Sequence, residues 1–148
     1  MTREYPDRPI VGVGVVILGP DGVLLIRRAN PPRQGQLSLP GGAQELGETV
    51  FACARREVRE ETGLDVEILG LIDVVNSIQT DDAGKVRHHY TLVDVVAVAT
   101  EPANPVAGSD AQEVVWMALE DIPGLDLWSE TERIIALAVE MAAALGRY

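Results

Sequence analysis

A chain of 148 residues can bury roughly two thirds of its unfolded surface without disulfides or metals as staples, so one domain over residues 1–148 accounts for it. A formal charge of −11 argues against sequence-independent binding to a nucleic acid polymer, where a basic face would supply the affinity. The N-terminus has no apolar core of signal length and no uninterrupted run of about 18 apolar residues follows, so neither export nor membrane spanning is read. The single cysteine, Cys53, excludes an internal disulfide and suits a reducing cytoplasm.

Ile10 to Leu18 is a β-branched run interrupted by Gly12 and Gly14, and Pro20-Asp21-Gly22 joins it to Val23 to Ile26. This predicts a strand, a tight turn and a second strand. The two glycines either let a ligand approach the backbone or relieve crowding in the sheet. Arg27 and Arg28 end the second strand on alternating faces, so at most one points toward any given site. Asn30 to Gln36 is a polar loop carrying Arg33, and it leads to the short apolar stretch Leu37 to Leu39.

Pro40-Gly41-Gly42 then favours a tight turn, and Thr49 to Thr62 reads as a helix with Gly63 as its stop. Glu57, Glu60 and Glu61, at i, i+3 and i+4, share one sector of roughly 100° on that helix. Each like-charge pair at such spacing costs about 0.2–0.5 kcal/mol. Arg56 offsets Glu60 at i+4 but leaves Glu57 and Glu61 facing each other. A divalent cation relieves that repulsion, and hard oxygen ligands suit Mg²⁺ or Mn²⁺ better than zinc. Phe51, Ala54 and Val58 lie beside the acids as a stripe to bury, and Cys53 is read as a small buried thiol. Helical spacing alone favours the plainer alternative, an amphipathic helix with a solvated acidic face.

Val66 to Ile78 and Val86 to Thr100 flank Asp81-Asp82-Ala83-Gly84 and predict a hairpin of long strands. His88 and His89, adjacent in the second arm, point to opposite faces and cannot share a metal there. Asp94 interrupts the apolar run and is given no chemistry. Glu101 to Asp110 is the clearest loop, Ala111 to Ala118 resumes a strand with Glu113 at the junction, and Asp121-Ile122-Pro123-Gly124 breaks the segment that follows. A last helix is predicted from about Ser129 to Leu145, opened by a Ser129/Glu132 capping box and packed through Ile134, Ile135, Ala138, Met141 and Leu145. Trp116 and Trp128 are read as buried packing residues.

Gly42, five residues, Glu48, seven residues, Arg56-Glu57-Val58, one residue, Glu60-Glu61, one residue and Gly63-Leu64 together resemble the complete Nudix box, nine specified positions over 23 residues with no departure. The preceding Arg27-Arg28-Ala29 and Leu39-Pro40-Gly41-Gly42 are similar to the family as well. The resemblance implies an α/β fold, a Nudix-type α/β/α sandwich with a mixed β-sheet between helices. It implies a Mg²⁺- or Mn²⁺-dependent hydrolase of a nucleoside diphosphate linked to another moiety. Its partner would be a small-molecule nucleotide, and Nudix proteins often form homodimers.

Carried onto this chain, the resemblance makes Glu57, Glu60, Glu61 and the Gly42 carbonyl the metal ligands, with Glu57 and Glu61 the firmest. It makes Glu57 or Glu60 the general base, with Glu113 as a further acid. Arg56 would orient the glutamates, Glu48 would steady the loop or reach an additional metal, and Arg28 would approach substrate ahead of Arg33. The signature preceding the box in coenzyme A pyrophosphatases is not matched around Arg33 and Gly35. Gln79 and Thr80 stand where many ADP-ribose pyrophosphatases have a proline, and the tyrosine typical of diadenosine polyphosphate hydrolases is absent, the nearest being Tyr90. Small size and short loops favour a compact substrate, ADP-ribose or a similar nucleoside diphosphate sugar first and a nucleoside triphosphate second. The third reading is a non-catalytic ligand-binding module on the same fold.

Overall fold

The computed structural model describes residues 3–29, 35–100, 105–108 and 111–148. Strands β1 (Ile10–Gly19) and β2 (Gly22–Arg28) meet at a closed hairpin end, Leu18 opposite Val23 and Gly19 opposite Gly22. They then part to take different neighbours. Gly12–Gly14 of β1 pairs antiparallel with β4 (Gly41–Ala43), while the other edge of β1 runs parallel to β6 (Val86–Ala99) from Ile10 to Leu18. Strand β2 is flanked by β3 (Leu37–Ser38) and β7 (Ala111–Met117), both antiparallel. Strand β5 (Val66–Thr80) lies outside β6 in a long antiparallel hairpin. Among the described residues the result is a seven-stranded mixed sheet ordered β3-β2-β1-β6-β5, with β4 added on β1 and β7 on β2.

Side chains alternate along each central strand, and both faces are dry. Val13, Val15, Ile17, Leu24, Val95 and Ala97 pack against Cys53, Ala54 and Val58 of helix α1 (Val50–Thr62). Val16, Leu18, Val23, Leu25 and Val96 pack against Ile134, Ile135, Ala138 and Ala142 of helix α2 (Ser129–Ala144). A sheet covered on both faces needs apolar residues at every position of its central strands, which is why the first strand reads as a continuous run. The expected sandwich, a mixed sheet between helices, is the architecture found. Among the described residues, no helix is long and apolar enough to cross a membrane.

Four local expectations fail. Leu145, expected in the packed stripe of the last helix, is its C-cap and is exposed, because the helix ends at Ala144. The capping box at Ser129 does not form, because Trp128 already takes the N-cap conformation and its carbonyl accepts the Thr131 and Glu132 N–H groups, leaving Ser129 as the first helical residue. Phe51 is exposed (37%), since it sits on the first turn of α1 ahead of the sheet, and Cys53 and Thr62 join the buried stripe instead. Trp128 is also exposed, whereas Trp116 packs on the α1-side core. The Pro123 break is a 3-10 helix, Leu119–Leu125, that buries Ile122.

Candidate active site

Helix α1 is held at both ends by its own sequence. Thr49 Oγ1 accepts the Ala52 N–H at 3.1 Å, and Gly63, at φ 73°, sends its N–H back to the Arg59 carbonyl at 2.9 Å. That left-handed cap costs glycine little and other residues more. The entry loop is bound to the sheet just as firmly, through Val15 N–H to Pro40 O at 2.9 Å and Gln44 N–H to Val11 O at 3.0 Å. Strand β4 and the acidic face of α1 therefore hold a fixed separation.

Across that separation Glu57 lies against the Gly42 main chain. A Cβ added at Gly42 would sit 2.5 and 2.6 Å from the two Glu57 carboxylate oxygens, so only glycine leaves them room. Glu61, one turn on, is buried, with Oε1 accepting the Gly41 N–H at 3.4 Å. The three acids that share a sector on paper differ in the fold. Glu57 and Glu61 turn toward β4, while the Glu60 side chain is 60% exposed. Among the described residues, no three or more His, Cys, Asp or Glu side chains are gathered tightly enough to enclose a metal by themselves. The donors beside Gly42 are nevertheless all hard oxygens, and a hexacoordinate Mg²⁺ normally keeps several positions for water and phosphate. The set fits such an ion as a partial shell.

Arg56 ties the acids to the loop. Its guanidinium meets Glu48 twice, Nε to Oε2 at 2.6 Å and Nη2 to Oε1 at 3.0 Å, and Nη2 also donates to the Ala43 carbonyl at 3.2 Å. From the other side Nη1 reaches Glu57 Oε1 at 2.8 Å and Glu60 Oε2 at 3.3 Å. Helical spacing predicts an Arg56–Glu60 pair, but the nearer partner is Glu57, because Glu48 draws the guanidinium toward the loop. Hydrogen bonding from Arg56 holds the Glu48 carboxyl down at about 2. Glu48 also accepts the Glu45 N–H at 3.1 Å, which closes the loop on itself. Cys53 is fully buried beneath this cluster, its thiol pushed up to about 12 chiefly by burial, so it is neither a thiolate ligand nor a nucleophile near neutral pH.

The remaining candidates are spread more widely. Glu113 pairs with Arg27 at 2.9 Å, across β7 and β2, and alternation places it with Val115 on the side packed by α2. Arg27 also donates to the Gly35 carbonyl at 2.7 Å. Arg28 ends β2 half-buried, its main chain bonded to Gln36 and Gly35. Arg33 lies outside the described residues. His88 contacts Gln79 at 3.1 Å on the hairpin.

Two contributors carry little signal in the sequence. The segment 105–108 follows the end of α1, with Val106 N–H on the Thr62 carbonyl and Gly108 N–H on the Glu61 carbonyl, both at 2.9 Å. A side chain at Gly108 would strike the Glu60 carbonyl. This stretch of the loop therefore pins the turn that carries two of the acids, and the glycine within it was the only cue. Asp94 is the second. Its buried carboxyl lies over Gly14, where a Cβ would collide with it, and burial followed by the charge of Asp73 raises it to about 6. Gly14 is thus explained by crowding in the sheet.

The family model described as NUDIX domain matches residues 8–138 of the chain. The ADP-ribose pyrophosphatase of Methanocaldococcus jannaschii is 37% identical over 117 residues, covering 79% of this chain and 66% of that protein. The oxidized purine nucleoside triphosphate hydrolase of Danio rerio is 28% identical over 135 residues, covering 90% and 82%. Among solved structures, the MutT NUDIX hydrolase from Burkholderia pseudomallei superposes with a TM-score of 0.74 at 29% identity, covering 88% of this chain and 98% of that one. The chain spans just under two thirds of the length of the archaeal relative and about half that of several other curated relatives.

Proposed function

The chain belongs to the NUDIX family of hydrolases, and on that premise we propose that it hydrolyses the diphosphate linkage of ADP-ribose or a similar nucleoside diphosphate sugar with Mg²⁺ or Mn²⁺. The observation that carries the reading is the packing of Glu57 on Gly42 beside buried Glu61, with Arg56 held between Glu48 and Glu57. In this reading the Gly42 carbonyl, Glu57, Glu60 and Glu61 would hold the metal. A cation held there would offset phosphate charge and lower the pKa of a coordinated water. Glu57 or Glu60 takes the proton from the attacking water as the phosphorus–oxygen bond to the bridging oxygen breaks. The products are AMP and a sugar phosphate. Arg56 is a positioning residue, and Arg28, at the end of β2, contacts phosphate. Glu113, already paired with Arg27, takes no part. A cytoplasmic location goes with this reading, on the strength of the single buried Cys53.

The name and 37% identity of the archaeal relative support ADP-ribose. The Danio rerio relative supports a second reading, a nucleoside triphosphate pyrophosphatase releasing a monophosphate and pyrophosphate. Purified protein incubated with Mg²⁺ or Mn²⁺ and either substrate separates the two by product: AMP with a sugar phosphate, or pyrophosphate. Glu60→Gln and Glu61→Gln should each depress turnover while the fold survives. Full activity in both would remove the site assignment.

A further inference from the structure

Strand β5 ends the sheet, and among the described residues its outer edge has no sheet neighbour. Among the described residues, no main-chain hydrogen bond beyond the β6 ladder reaches residues 75–80. Native edges of this kind are normally blunted by charge, proline, bulges or short length. This one is long, and Val74 through Thr80, Val-Val-Asn-Ser-Ile-Gln-Thr, carries no ionisable side chain and no proline in a chain with 23 acids. Val74 and Ile78, on one face of it, are 46% and 55% exposed.

The register gives this edge a centre. Against β6, β5 shifts register between Leu71 and Asp73 and again between Gln79 and Thr80, and it is regular from Asp73 to Gln79. The middle of that regular stretch is Asn76. A two-fold axis there sets Asn76 against Asn76 of a second copy, Val74 against Ile78 on one face, and Val75 against Ser77 on the other. At the ends, the Asp73 carboxylate faces the Gln79 amide, a hydrogen-bond donor. Val74 with Ile78 is apolar with apolar, Asn76 with Asn76 and Asp73 with Gln79 match donor with acceptor, Val75 with Ser77 sets a methyl beside a small hydroxyl, and no like charges meet. Two copies of a chain with net charge −11 repel over most of their surfaces, and this neutral strip lets them approach.

We infer that β5 pairs antiparallel with β5 of a second copy about Asn76, joining the two sheets into one across a homodimer. Opposed Cα atoms in such a pair are about 4.5–5.5 Å apart, within disulfide range, while residues two places from the axis lie about 13 Å from their own equivalents.

Sedimentation equilibrium of the whole chain at tens of micromolar should give twice the chain mass. Ile78→Lys should lower it to the monomer with an unchanged far-ultraviolet circular dichroism spectrum. Under mild oxidation Asn76→Cys should form a reductant-sensitive dimer and Val74→Cys should not, while buried Cys53 stays unlinked in both. A wild-type chain that remains monomeric overturns the inference, whether or not a foreign strand binds the edge. So does a dimer in which Asn76→Cys cross-links no faster than Val74→Cys, since that locates the interface elsewhere.

Discussion

Replacing Gly42 by alanine is the most informative single change at this site. The added methyl would stand 2.5 and 2.6 Å from the Glu57 carboxylate oxygens, where ordinary contact begins near 3.4 Å, so the carboxylate must retreat by almost 1 Å. It is the free end of a flexible side chain, and the Gly42 backbone is not in the left-handed region. The fold should therefore absorb the change, with a loss of stability below about 1 kcal/mol. Activity should not, because a misplacement of about 1 Å in a reacting constellation costs on the order of 100-fold, or about 2.7 kcal/mol of barrier. The assay is kcat and kcat/KM on ADP-ribose across a Mg²⁺ titration, with urea denaturation alongside. Gly124→Ala serves as the control, since nothing lies within 4 Å of its added methyl. If Gly42→Ala keeps turnover and metal dependence within twofold of wild type, the Glu57–Gly42 contact is not part of the machinery.

Glu48→Gln weakens the hold on Arg56 at 2.6 and 3.0 Å, and should lower activity or metal affinity about 10–100-fold while leaving the secondary structure intact. Because Arg56 holds the Glu48 carboxyl near 2, this link contributes stability that is complete above the unfolded pKa of about 4.3 and is lost only as pH falls toward 2; Glu48→Gln should accordingly flatten an acid unfolding curve in that window. Glu113→Gln breaks only an exposed pair with Arg27, so turnover should hardly change; a large loss would return Glu113 to the chemistry. Asp94, raised to about 6 by burial, has the opposite sign: its contribution is fully present below about 3.9 and is lost as pH rises through 6. Asp94→Asn should therefore gain on wild type by up to about 3 kcal/mol between pH 4 and pH 8, read from urea midpoints, and a constant difference across that range would refute a buried charge.

Helix α1 was legible because its information is local: a threonine to cap it, a glycine to stop it, and acids one turn apart all act within hydrogen-bonding or side-chain reach along the chain. The hairpins were legible for the same reason, from turn residues between apolar runs. The capping box at Ser129 misled because Trp128 can adopt the N-cap backbone without any side-chain bond, and nothing in the spacing of Ser129 and Glu132 reveals which residue the chain turns on.

What the sequence determined alone was the family, the layered fold and the short list of acids, since periodicity and motif spacing depend only on order along the chain. What the tertiary structure decided was which members of that list meet. Arg56 leans to Glu57 because Glu48 arrives from the loop, Glu113 is claimed by Arg27 across two strands, and the carboxyl of Asp94 fits because Gly14 lies opposite it in the parallel β1–β6 register. The Glu113–Arg27 and Asp94–Gly14 pairings join residues far apart in the chain, and even the near pair Arg56–Glu48 depends on an entry loop hydrogen-bonded to β1; the burial and register that bring these groups together exist only once the sheet has formed.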